Sequence, residues 1–226
     1  MQKYLISAIV AATALSAAPA SAATVLSWTD AQIGVANQVD FNGIVGGVVT
    51  AGLTGQVTYT LQSIGGGGDT WVFGYSVLNT SSAPIDASRI SIFGFDVTPD
   101  ILSSTSTGTY DTWSSGNVAQ LGFREACYSA VNCGGGAGVG ALLGGPALTG
   151  TFSLVFAADQ TSLSLENLFV RYQSINSEAL GLNGGSGAGV PTTVVPEPAT
   201  WAMMIIGFGA AGAMIRRARR EKLAVI

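Results

Sequence analysis

The middle of this chain is written in period two. Val57, Tyr59 and Leu61 alternate with small polar residues, as do Trp71, Phe73, Tyr75 and Val77 before the turn signal Asn79, Thr80, Ser81, Ser82. Such spacing puts the apolar side chains on one face of a strand. Phe152, Leu154 and Phe156 repeat it, and Leu163 and Leu165, then Leu168, Val170 and Tyr172, make a last pair of runs. Ile90 and Ile92 open another strand, but Phe93, Phe95 and Val97 fall on the opposite parity. A bulge near Phe93 and Gly94, or burial on both faces, reconciles them. Gly-rich connections at 65–68 and 134–145 punctuate these runs, and nothing between 24 and 191 shows a capped helical stripe. The pattern predicts a mainly β domain over residues 23–180, an antiparallel, jelly-roll-like β-sandwich. Residues 181–195, rich in Gly, Ser and Pro, read as a flexible linker.

The two ends follow other rules. Residues 1–22 carry Lys3, an apolar run from Tyr4 to Ala18, and Ala20-Ser21-Ala22, which together make a secretory signal peptide cut after Ala22. At the other end, residues 199–215 hold no charge and would span roughly 25 Å as a helix, the short end of what crosses a bilayer. Trp201 stands where an interfacial aromatic belongs. Arg216, Arg217, Arg219 and Arg220 then mark the cytoplasmic side, leaving 221–226 as a short inner tail. Just before the run, Pro196 and Pro198 hold Glu197 in an extended, solvated segment. Both ends predict export through the Sec translocon, with a C-terminal helix that stops in the membrane.

Pro196-Glu197-Pro198, then Trp201-Ala202, an apolar run and an arginine cluster, resembles the PEP-CTERM sorting signal of Gram-negative bacteria in its PEPxxWA variant. The resemblance covers about thirty residues. It implies recognition and processing by an exosortase, a multi-pass membrane cysteine protease or transpeptidase. It also implies a cell-surface or extracellular protein associated with exopolysaccharide and biofilm. A plain, uncleaved membrane anchor is the alternative for the same helix. Cys127, Cys133 and the glycines after it, with 152–156 and 169–175, also resemble the cistern group of PEP-CTERM proteins, a likeness that implies no defined activity.

Gly207 to Gly212 satisfies the dinucleotide fingerprint G-x-G-x-x-G, but inside a membrane-length run with no βαβ unit around it. Small residues there suit close helix approach instead.

Charge narrows the functions of the exported part. The chain has net charge −4, yet residues 23–195 hold only Arg89, Arg124 and Arg171 against eleven acids, a net charge of about −8. Such a domain repels nucleic acid and anionic lipid. With no His anywhere and no Lys in this part, Ser-His-Asp catalysis, Ser-Lys dyads and His-ligated metals are excluded. Carboxylate chemistry of the glycosidase type is what is left, and Asp96, Asp100, Asp111 and Glu125 could supply it. Ordinary turn carboxylates are the simpler expectation, so the chain reads as non-enzymatic and cofactor-free. Tyr110 and Trp113 are candidate sugar platforms, and a carbohydrate-binding module is a second reading. Gly65 to Asp69 only partly matches a calcium nonapeptide and does not repeat, so it reads as a hairpin loop. Cys127 and Cys133, close together in an exported chain, predict a disulfide around a short loop.

Overall fold

The computed structural model describes residues 24–134 and 138–192. The signal segment (1–22, with Ala20 and Ala22) and everything from 193 onward lie outside the described residues. That includes Pro196, Glu197, Pro198, Trp201, Ala202, the helix expected over 199–215 and the arginine cluster.

Twelve strands appear among the described residues: β1 (Leu26–Thr29), β2 (Ala36–Val45), β3 (Val48–Gly65), β4 (Thr70–Asn79), β5 (Ala87–Thr98), β6 (Ser103–Ser106), β7 (Thr112–Val118), β8 (Gly122–Ser129), β9 (Ala141–Leu142), β10 (Leu148–Val155), β11 (Ser162–Ser177) and β12 (Leu182–Pro191). A single 3-10 turn, Asp30–Gln32, follows β1. All pairings are antiparallel. The order across the sheet is β6-β10-β4-β3-β2-β12-β11-β5-β8-β7, with β1 beside the start of β11 (Ser162 to Leu165) and β9 beside β5. The expected mainly β, antiparallel domain is present. In place of two separate jelly-roll sheets, one continuous sheet rolls into a nearly closed, flattened barrel. Its end strands, β6 and β7, approach each other without a ladder.

The alternation at residues 57–61, 71–77 and 152–154 works as expected. Val57, Tyr59, Leu61, Trp71, Phe73, Tyr75, Val77, Phe152 and Leu154 all face the interior and are buried. Rings dominate that interior. Tyr128 lies 4.9 Å from Phe152 and 5.1 Å from Phe93, and Phe73 stacks on Phe152 at 5.2 Å. Trp28 of the short first strand closes one side edge-on against Phe73 at 5.1 Å. Each such ring removes a large apolar area from water, and the geometry of the pairs adds to that burial.

Two strands differ from the expectation. The two runs at 163–172 are one strand, β11, whose parity is reset between them by a bulge at Asn167 (φ 47°), and a second bulge follows at Ser174 (φ 51°). In β5 the burial on both faces holds, and the bulge lies before the expected Phe93 and Gly94. An extra residue at Ser91 shifts the register, and the strand is buried on both faces: Phe93 and Phe95 point into the barrel, while Ile92 joins Val118, Cys127, Cys133 and Phe169 in a second apolar cluster outside it. Cys127 and Cys133 form the disulfide, with Cα atoms 6.1 Å apart. Closing so short a loop contributes about 2 kcal/mol in the chain-entropy view.

The largest correction concerns 181–195. Residues 182–191 are β12, laddered to β11 on one side and β2 on the other. The domain therefore runs on to Thr192, whose N–H donates to the Asp40 carbonyl at 2.8 Å. Two of the five glycines that suggest a linker, Gly187 and Gly189, are there for close approach. A Cβ on Gly189 would collide with Val170 Cγ2 and lie 2.8 Å from Tyr172 Cε2. One on Gly187 would lie 2.7 Å from the Ile44 carbonyl oxygen. Only a strand without side chains at these two positions fits between β2 and β11.

Candidate functional site

The seam where the sheet fails to close opens into a groove of about 510 Å³, lined by residues of 96–102 with Trp113, Ser115, Phe123 and Glu125. It forms because β5 ends at Thr98, the chain turns through Pro99 to Ile101, and β6 then leads away toward β10 instead of pairing with β7.

Glu125 of β8 shapes that turn. Its two carboxylate oxygens accept the backbone N–H groups of Val97 at 2.9 Å and Ile101 at 2.6 Å. Burial pushes its carboxyl above the usual range. The Ile101 and Val97 donors oppose that push, and the negative charges of Asp100 and Asp96 add to it. Asp96 is equally engaged. Its carboxylate accepts the Glu125 N–H and the Asn167 side-chain amide, each at 2.9 Å, and lies 3.9 Å from Arg124. The Arg124 guanidinium also sits 5.8 Å from the centre of the Phe169 ring. Both carboxylates are thus occupied in holding backbone and neighbouring strands together.

The expected candidates separate accordingly. Asp96, Asp100 and Glu125 come together in the groove wall; Asp111 does not line it. Tyr110 is no sugar platform. It is fully buried, its hydroxyl donates to the Ile90 carbonyl at 2.7 Å, and it accepts the Ala141 N–H at 3.1 Å. The residue falls at the turn from β6 into β7, where the chain dives into the core. Trp113 is half-buried, packs against the core and forms part of the groove, and its buried Nε1 makes no hydrogen bond. Phe123, 62% exposed, and Leu102, 66% exposed, complete the apolar part of the lining. Neither stands in an alternating run, so pattern alone passes over them. Among the described residues no three His, Cys, Asp or Glu side chains are grouped to hold a metal ion. The loop at Gly66, Gly67 and Gly68 is a β3–β4 hairpin turn, its glycines at φ 62°, 85° and 135°.

The second candidate site follows the barrel in sequence. The last described strand ends at Pro191, paired with Phe41, and the chain leaves through Thr192. What comes next is decided by comparison with known families.

Residues 194–220 match the PEP-CTERM protein-sorting motif.

The motif accounts for 27 of the 226 residues and places Pro196 to Pro198 near its start. It marks an exported chain directed to the cell surface or beyond, with an exosortase as the processing partner. No curated protein and no solved structure matches the chain. The PEP-CTERM motif thus speaks for the destination, and the groove is the chemical feature of the barrel that precedes it. Among the described residues no helix is long and apolar enough to cross a membrane.

Proposed function

We propose that the chain is a non-enzymatic surface or matrix protein of a Gram-negative bacterium. It passes through the Sec translocon, is held transiently in the inner membrane by residues 199–215 and is processed at the PEP-CTERM motif. Its β-barrel then associates with exopolysaccharide in the biofilm. The observation that carries this reading is the motif at 194–220, set directly behind a disulfide-bearing β domain with a strongly acidic balance. The engagement of Glu125 and Asp96 with backbone and side-chain donors supports a structural role for these acids over hydrolysis. The cysteine pair and the long strand β11 support a place beside the cistern group. Mass spectrometry of the exported protein from its native host is the test. A new N-terminus at Ala23 and loss of the residues beyond Pro196 to Pro198 are expected. A full-length C-terminus retained in the inner membrane would favour the uncleaved anchor instead.

The groove favours a second reading, a carbohydrate-binding module on the same delivery system. A half-buried indole, an exposed phenyl ring and the Asp100 carboxylate suit a sugar ring, with one face on the aromatics and a hydroxyl on the acid. Trp113→Ala should abolish retention on immobilised host polysaccharide while leaving the melting temperature within a few degrees. Equal retention of both proteins would remove Trp113 from the contact.

A further inference from the structure

The sorting motif begins almost where the barrel ends. Pro191 is still laddered to β2, Thr192 donates to Asp40 through both its N–H (2.8 Å) and its hydroxyl (3.2 Å), and the motif starts at residue 194. Pro196 lies five positions beyond Pro191, so even a fully extended chain reaches no more than about 18 Å between them. A folded body of roughly 170 residues has a radius of gyration of about 15 Å. The barrel and a membrane-embedded processing enzyme therefore compete for the same space beside Pro196.

The strand that leads into the motif is also the least anchored of the strands around it. β2 contributes Val39 and Phe41 to the core, and β11 contributes Leu165, Val170, Tyr172 and Ile175. The fully buried residues of β12 are Gly187, Ala188 and Gly189, which sink a single methyl group, and Leu182 at its start packs half-buried against the core. Beyond that one side chain its hold is the two backbone ladders and the closeness that its glycines allow. Segments with few buried apolar groups are the ones that open first below the global unfolding free energy.

We propose that β12 is a releasable strand: it peels from β2 and β11 to present the PEP-CTERM motif to the processing enzyme, and its docking afterwards completes the barrel. Released, its ten residues add about 33 Å of reach. The inference rests on the reading that the motif is processed and goes beyond it by coupling processing to the folded state of one strand.

The test is a disulfide staple in the full chain, expressed in the native host. Val190 and Asn42 are cross-strand partners on β12 and β2, so Val190→Cys with Asn42→Cys meets the Cα spacing that a disulfide requires. The stapled chain should be converted to the processed form at least tenfold more slowly than the wild type and accumulate at full length. Ten Gly/Ser residues inserted after Thr192 should restore the wild-type rate with the staple still closed. The stapled, spaced chain also serves as the folding control, since a misfolded barrel would not be rescued by added reach. Processing of the stapled chain at the wild-type rate would overturn the inference alone. Failure of the spacer to rescue would overturn it as well. Absence of processing in the wild type would overturn the sorting reading and this inference with it.

Discussion

Replacing Gly189 with valine is expected to destabilise the barrel by about 3 kcal/mol, the upper part of the range for an overfilled core. The cause is local and steric. A Cβ there collides with Val170 Cγ2 and approaches Tyr172 Cε2 and the Val170 carbonyl, and two γ carbons worsen the overlap. Val170 and Tyr172 are fully buried, so neither has room to give. Gly185 of the same strand, with nothing within 4 Å of its would-be Cβ, provides the matched control. The identical Gly185→Val change should stay within about 0.5 kcal/mol, as for a surface substitution. Chemical denaturation of the processed domain reads both, through the midpoint at unchanged slope. If 181–191 were a linker, the two substitutions would be equally harmless. That outcome would remove β12 from the fold and, with it, the strand-release inference.

Glycine also marks how far the fold could be read without coordinates. Strands β3, β4 and β10 were legible because a single buried face writes a strict alternation, and a one-residue slip there would turn every large side chain outward. β11 was legible only in pieces. The bulge at Asn167 resets the phase, so one strand looks like two. β12 was illegible. Local composition cannot distinguish a glycine used for flexibility from one used because Val170 and Tyr172 press against it, and the difference lies in residues far away in sequence.

The site divides in the same way. The sorting motif is a local string and could be read outright. The acids of the groove could be named but not assigned. Whether Glu125 faces a substrate or clamps Val97 and Ile101 depends on the turn after β5. Tyr110, between small polar residues, looks exposed until its hydroxyl is found tied to Ile90 and Ala141.

The other large effect is on pH. Carried above pH 10, the processed domain is expected to unfold cooperatively, and its tyrosines should ionise in that same transition. Burial raises the phenol of Tyr59, Tyr110, Tyr128 and Tyr172 well above the ordinary value of 10.0; opposing hydrogen bonds from Ala141 to Tyr110 and from Ser104 to Tyr128 do not offset it. Tyr75 moves in the same direction. The sign follows from linkage. With folded values above unfolded ones, the native state holds protons that the unfolded chain has released. The contribution is thus whole below pH 10 and is lost as pH climbs toward the raised values. Each phenol removes about 1.4 kcal/mol per pH unit in that window, and four together remove about 5. A domain whose total stability is about 5–15 kcal/mol then melts within roughly one to three units of pH 10. The signal is clean, because residues 23–192 contain no Lys and no His and both cysteines are locked in the disulfide. Phenolate absorbance and far-ultraviolet circular dichroism, followed together, should change at one midpoint. A gradual rise in absorbance centred on pH 10 with the β signal intact would mean that these rings stand in water, which an aromatic core wrapped by a nearly closed sheet does not allow.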